Sequence, residues 1–170
     1  MEESTIAIIL AASAFIIAAI ALIKSINVKA PVTDAAPVSN FNSIPLQLQA
    51  YERLVLLAER ISLPNLISRT NQPHFTAKEM QLLLNENIKQ EFEYNASQQI
   101  YVSPTAWEAV RNLRDQSMLI INQVANILPP EASASELNKQ LLEVILNQQE
   151  RALHTIVLDT LNFEAKKVMK

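Results

Sequence analysis

The residues best suited to do chemistry in this chain are its two histidines, His74 and His154. His154 follows Glu150 by four residues, a spacing that places both side chains on one face of a helix. A di-metal site in a helical bundle needs two Glu-x-x-His pairs and two further carboxylates. This chain offers one pair at a longer spacing, so we interpret Glu150 and His154 as a surface pair. The sequence predicts no metal site and no cofactor.

The absence of glycine and cysteine from all 170 residues argues against several other kinds of site. Without glycine, the chain lacks the nucleophile elbow of the serine hydrolases and the phosphate-binding loop. Without cysteine, it can form neither disulfides nor thiolate metal sites. No Ser-His-Asp set is marked by its spacing. The sequence therefore predicts no catalytic residue and a protein that is not an enzyme.

Acidic residues recur regularly near the C-terminus, at Glu136, Glu143, Glu150 and Glu164. Their separations are multiples of seven, which places them along one stripe of a helix. Most such stripes are solvated. The alternative is that they pair with arginines of a neighbouring helix or with a basic partner, so we keep Glu136, Glu143 and Glu150 as candidate interaction residues.

Aromatic residues with polar tips form a second candidate surface. The stretch "EFEYNASQQIYVSPTAW" contains Tyr94, Tyr101 and Trp107 at a predicted turn between helices. Such residues are common both in the corners of bundles and at interaction surfaces. In "LQAYERLVLLAER", Arg53 and Arg60 lie on a mixed charged face that is open to solvent or to a partner. All five are candidate interaction residues.

The charge distribution argues against nucleic-acid binding. The net charge is −3 and no concentrated basic surface is apparent. The only local basic excess is Lys166, Lys167 and Lys170, which we interpret as favourable charge at a helix end. Contact with anionic lipid is the alternative.

An uncharged stretch from Thr5 to Ile23 dominates the N-terminus. As a helix it would be about 28 Å long, close to the hydrocarbon thickness of a bilayer. A cleavable signal would begin with positive charge, whereas this stretch follows Glu2 and Glu3. Residues 1–29 are therefore predicted to be a single-pass transmembrane anchor whose span covers about residues 5–23.

Lysines after this span predict its orientation. Lys24 and Lys29 follow it and no basic residue precedes it, which places the N-terminus outside and the rest in the cytoplasm. Residues 30–43, "APVTDAAPVSNFNS", lack helical periodicity and are rich in proline and small polar residues. They are predicted to be a flexible linker.

Residues 44–170 are predicted to form a helical bundle domain. Helix starts are marked by Ser43 with Pro45, by the capping boxes Thr76–Glu79 and Ser133–Glu136, and by Ser103 with Pro104. The apolar stripes that follow predict an all-α fold, with an antiparallel bundle after the anchor and linker. The last stripe consists of Leu142, Ile145, Leu146, Gln149, Leu153, Ile156, Val157, Thr160 and Leu161. Its helix would run to about Lys167 and be about 50 Å long, so we expect its C-terminal half to project or to pack on a partner.

Two stretches carry a resemblance to a known family: residues 48–69, "LQAYERLVLLAERISLPNLISR", and residues 90–110, "QEFEYNASQQIYVSPTAWEAV". Together with the N-terminal span, they resemble an uncharacterised family of single-pass membrane proteins from the Bacteroidota, which have a helical domain of unknown function. The resemblance implies a bacterial inner-membrane protein with a cytoplasmic helical domain. It implies no activity and no site residues.

Taken together, these features favour a non-enzymatic scaffold or accessory subunit that is anchored in the lipid bilayer. It would act through helix–helix contacts with protein partners or with further copies of itself. The alternative is a helical module at the membrane that binds lipid or a small apolar ligand, because bundles can hold such cavities.

Overall fold

The computed structural model describes residues 42–147 and 150–170, apart from the side chains at 147 and 150–152. These residues form six α-helices and one short 3-10 helix, without a β-strand among them. The α-helices are α1 (Ile44–Ile61), α2 (Leu63–Thr70), α3 (Ala77–Tyr94), α4 (Pro104–Ile127), α5 (Ala134–Asn147) and α6 (Glu150–Val168), and the 3-10 helix is Ala96–Ile100. The all-α prediction is confirmed for the described part of the chain.

Both predicted capping boxes are present. At the start of α3, the Glu79 backbone N–H donates to Thr76 Oγ1 at 3.2 Å, and the Thr76 backbone N–H donates to Glu79 Oε2 at 2.8 Å. At the start of α5, the Ser133 backbone N–H donates to Glu136 Oε2 at 2.9 Å, and the Glu136 backbone N–H donates to Ser133 Oγ at 3.3 Å. These bonds satisfy amides that no helical carbonyl can reach.

The start of α1 lies where the sequence predicts it, but another residue supplies the first acceptor. The Ile44 backbone N–H donates to Asn42 Oδ1 at 3.0 Å, while Ser43 Oγ accepts from Gln47 Nε2 at 2.9 Å. Pro45 lies in the first turn, where its missing N–H leaves no helical bond unmade.

The helix ends that the structure describes are formed without left-handed residues. Among the described residues none has positive φ. Ser62 separates α1 from α2 with φ −61° and ψ 131°, and Leu128 ends α4 with φ −79° and ψ 149°. Leu128 directly precedes Pro129, whose ring favours an extended conformation in the residue before it, and Ser62 is the extended residue before the first turn of α2.

Side-chain contacts show that α3 and α4 run antiparallel. Near the end of α3 and the start of α4, the rings of Phe92 and Trp107 are 5.0 Å apart. At the opposite ends of the same two helices, Gln81 Nε2 donates to Asn122 Oδ1 at 2.8 Å.

The starts of α3 and α5 lie side by side. The Ala77 backbone N–H donates to the Ala132 carbonyl at 2.8 Å, and the Ala134 backbone N–H donates to the Phe75 carbonyl at 2.9 Å. The helices α1 and α6 also run antiparallel, because His154 near the start of α6 lies by Glu59 near the end of α1, while Glu164 near the end of α6 lines a depression with Gln47 near the start of α1. The predicted antiparallel bundle is therefore present.

One continuous core lies between these helices, and the predicted stripes of the first helices supply much of it. Fully buried members of those stripes are Leu54, Leu57, Ala58 and Ile61 in α1, Met80, Leu84 and Ile88 in α3, and Val110, Leu113 and Ile121 in α4. Phe92 and Ile120 are partly buried against this core.

The stripe predicted for the last helix is only partly right. Ile145, Val157 and Leu161 are buried, but Leu142, Leu146 and Ile156 are exposed. The buried face of α5 instead consists of Ala134, Leu137, Leu141 and Ile145. This face packs on α2, α3 and α4, whereas α6 packs on α1 and α4.

The expectation that the C-terminal half of the last helix projects from the bundle is wrong, because the apolar face of α6 is enclosed by α1 and α4. The continuity of the predicted long helix depends on residues 148 and 149, which lie outside the described residues.

The predicted anchor, residues 1–29, and residues 30–41 of the linker also lie outside the described residues. Among the helices that the structure does describe, none combines the length and the apolar character needed to cross a bilayer.

Candidate functional site

A groove lies between α1 and the C-terminal end of α3, with a volume of about 490 Å³. Arg53, Leu56 and Arg60 recur at helical spacing and therefore share one face of α1. The groove is lined by Arg53, Leu56, Leu57, Arg60, Gln90, Glu91, Tyr94 and Asn95, and is called here the α1–α3 groove. It brings together three of the predicted interaction residues, Arg53, Arg60 and Tyr94.

The charge of the α1–α3 groove is predominantly positive. Arg60 Nε donates to Glu91 Oε1 at 2.7 Å, and Arg69 Nη1 lies 3.5 Å from the same oxygen. The hydrogen bond to Glu91 and its negative charge raise the pKa of Arg60 above its ordinary value. Arg53 lies with its guanidinium 5.5 Å from the centre of the Tyr94 ring. Glu91 thus pairs with two guanidinium groups, while the guanidinium of Arg53 lies over an aromatic ring.

Exposed apolar surface accompanies this charge. Leu56 is 61% exposed and Tyr94 is 73% exposed, while Leu57 forms a buried floor. Arginine and aromatic side chains around an apolar centre are the residue types that contribute most at protein interfaces. The groove therefore exposes apolar and positively charged side chains next to one another.

Trp107 and Tyr101, the other two aromatic candidates, lie elsewhere. Trp107 is partly buried and packs against Phe92, whose ring also lies 4.1 Å from the guanidinium carbon of Arg114. Tyr101 is exposed and lines a separate depression with Tyr51. Trp107 thus has a structural role in the α3–α4 corner, and neither residue joins the α1–α3 groove.

The acidic candidates do not converge on one site. Glu136 belongs to the capping box with Ser133, and Glu143 lies 3.9 Å from Lys139 on its own helix. The arginines of α4 form ion pairs with acids of α4. The side chain of Glu150 lies outside the described residues.

A carboxylate other than the one predicted approaches His154. His154 Nε2 lies 3.6 Å from Glu59 Oε2, so α6 and α1 meet at this point. The expected pairing with Glu150 involves a side chain outside the described residues. The described part of the chain contains no group of three metal-ligating side chains.

A second cavity, also of about 490 Å³, lies where the junction of α1 and α2 faces α4, α5 and α6. It is lined by Glu59, Ser62, Leu63, Pro64, Asn65, Leu113, Ser117, Leu142, Ile145, Leu146 and His154, and is called here the Ser117 cavity. Ser117 is 1% exposed, and its Oγ has no hydrogen-bond partner among the described residues. Ser117 is not among the site residues predicted from the sequence. The signal was present, since Ser117 lies four residues from both Leu113 and Ile121 on the apolar face of α4.

Comparison with known protein families places the chain in one of them. The profile of DUF7935, a family of unknown function, matches residues 3–168. The chain belongs to the DUF7935 family. The DUF7935 match confirms the resemblance to an uncharacterised family and assigns no role to any residue. No curated protein and no solved structure gives a significant match.

Proposed function

We propose that this chain is a membrane-anchored, non-enzymatic scaffold or accessory subunit that docks a partner protein in the α1–α3 groove. Residues 1–29 would anchor it in a bacterial inner membrane, and residues 44–170 would present the groove in the cytoplasm. The partner segment would be an amphipathic helix with acidic residues beside its apolar face, a common mode of recognition between helices and grooves.

The composition of the α1–α3 groove carries this proposal. The exposed side chains of Leu56 and Tyr94 offer apolar contact area next to Arg53, whose described contact is the Tyr94 ring rather than a carboxylate. An acidic partner would gain an ion pair with Arg53 without breaking the Arg60–Glu91 pair. Charge complementarity of this kind mainly sets partner choice and the rate of association.

Site-specific crosslinking in membranes of the producing bacterium tests the docking surface. Because the chain has no cysteine, Leu56→Cys can carry a photocrosslinker at a single position. Leu82→Cys is the matched control, since Leu82 is about equally exposed (58%) on α3 but does not line the groove. We expect a reproducible protein adduct from position 56 that is absent from position 82.

The charge requirement is tested by adding Arg53→Glu to the Leu56→Cys variant. The adduct yield should fall several-fold, whereas Arg111→Glu, on an exposed face of α4, should leave it unchanged. An adduct of twice the chain mass would identify the occupant as a second copy. Equal adducts from positions 56 and 82, or no protein adduct at all, would refute docking in this groove.

Labelling of spheroplasts with a membrane-impermeant maleimide tests the anchor and its orientation. Ser4→Cys should be labelled from outside. Lys139→Cys, on the exposed surface of α5, should be labelled only after lysis. Labelling of Lys139→Cys in intact spheroplasts would contradict the proposed orientation.

A further inference from the structure

We propose that the Ser117 cavity binds a small apolar molecule that carries one uncharged hydroxyl group, of the size of a medium-chain alcohol. It shares no lining residue with the α1–α3 groove, so the two proposals can fail separately.

The walls of the Ser117 cavity suit an apolar ligand. Leu63, Leu113 and Ile145 are buried and line it, and its volume of about 490 Å³ falls within the range of small-molecule sites. Leu142 and Leu146 also line it but are partly or largely exposed. They give the cavity an apolar mouth through which a hydrocarbon chain can enter.

The unpaired hydroxyl of Ser117 indicates where the polar end of the ligand lies. A buried serine in a helix commonly donates to the carbonyl four residues earlier, but Ser117 Oγ makes no such bond and has no other partner among the described residues. A buried hydroxyl without a partner destabilises the fold. A ligand hydroxyl would supply the missing hydrogen bond.

The other polar groups of the cavity favour an uncharged ligand. His154 Nε2 is buried and has no hydrogen bond among the described residues, since Glu59 Oε2 at 3.6 Å is too distant for one. Asn65 Nδ2 donates a hydrogen bond to Glu59 Oε2 at 3.0 Å, and both residues line the cavity. A carboxylate ligand would be repelled by Glu59. An alcohol can both donate and accept hydrogen bonds here without adding charge.

Thiol labelling of the full-length chain in lipid nanodiscs tests the site. Ser117→Cys is a nearly isosteric change and introduces the only thiol. Its thiolate would attack the sulfenyl sulfur of butyl methanethiosulfonate, forming a mixed disulfide and releasing methanesulfinate. Intact-mass spectrometry then follows the rate. Val110→Cys, buried on the same helix away from the cavity, and Leu119→Cys, exposed on that helix, are the controls.

We expect Ser117→Cys to be labelled and Val110→Cys to be unreactive. At ten times its half-saturating concentration, 1-decanol should slow labelling of Ser117→Cys about tenfold, because the rate follows the unoccupied fraction. Decanoate at the same concentration should leave that rate unchanged, and neither compound should affect Leu119→Cys.

Three outcomes would overturn the proposal: Ser117→Cys as unreactive as Val110→Cys, the same labelling rate with and without 1-decanol, or equal protection by decanoate. A second measurement needs no change at Ser117. 1-Decanol should raise the thermal unfolding midpoint of the unmodified chain, and Leu142→Trp, which fills the mouth of the cavity, should abolish that rise. A midpoint that 1-decanol does not raise would count equally against the site.

Discussion

Replacement of Leu161 by alanine tests whether α6 is part of the bundle core. Leu161 is 0% exposed and lies between α1 and α4. The change removes three buried carbon groups at about 0.8 kcal/mol each, and the cavity left behind raises the expected loss of unfolding free energy to about 3–5 kcal/mol. Ile156→Ala is the matched control, because Ile156 is on the same helix and is 58% exposed. Its cost should stay below about 1 kcal/mol.

Chemical denaturation of the full-length variants in a mild detergent, followed by circular dichroism, measures both changes. The difference between the two variants matters more than either value, since the detergent and the rest of the chain are common to both. If Leu161→Ala and Ile156→Ala were destabilised equally and by less than about 1 kcal/mol, α6 would not be packed in the core. The expectation from sequence that this helix projects would then be right.

Three further predictions concern polar contacts, each measured by denaturation against the unmodified chain. Thr76→Ala should cost about 0.5–2 kcal/mol by removing the first acceptor of α3, and a cost near zero would contradict the capping geometry. Tyr51→Phe should cost about 1 kcal/mol, because the Tyr51 hydroxyl accepts from the Ser103 backbone N–H at 3.0 Å; an unchanged midpoint would refute this role. Hydrogen bonds from Lys167 and Ser103 to the Glu164 carboxylate lower its pKa in the folded state. The stability that these bonds contribute is therefore complete above the unfolded pKa and is lost as the pH falls through the folded pKa. Glu164→Gln should therefore flatten the dependence of stability on pH below the unfolded pKa of a glutamate, and an unchanged slope would contradict that cause.

Helix starts could be predicted from sequence because their chemistry is local. Thr76 with Glu79, and Ser133 with Glu136, satisfy each other's backbone amides within one turn, whatever the rest of the chain does. The stripe of α1 could be predicted as well, because Leu54, Leu57, Ala58 and Ile61 recur at helical spacing, and all four are buried.

Faces of the last helix could not be predicted in the same way. Apolar residues surround more of this helix than one stripe can hold, so the sequence does not reveal which of them face inward. Which face is buried depends on the neighbouring helices: α5 packs on α2 and α3, whereas α6 packs on α1. Leu142 and Ile156 are consequently exposed, although they fit the predicted period.

The candidate sites depend on contacts between residues distant in sequence. Arg53 and Tyr94 are 41 positions apart in sequence and meet only because α1 lies against the end of α3. The types of these residues mark them as candidates, but their convergence is a property of the bundle. Ser117 and His154 meet the same cavity for the same reason.

Helix junctions built from extended residues such as Ser62 and Leu128 have a consequence for the denatured ensemble. Glycine loses more backbone conformational entropy on folding than any other residue. This chain contains no glycine, so its helix junctions are formed by other residues. The unfolded polypeptide is therefore stiffer at those corners than a glycine-capped counterpart. The unfolded chain therefore gains less conformational entropy on unfolding, and this adds to stability independently of any contact in the native bundle.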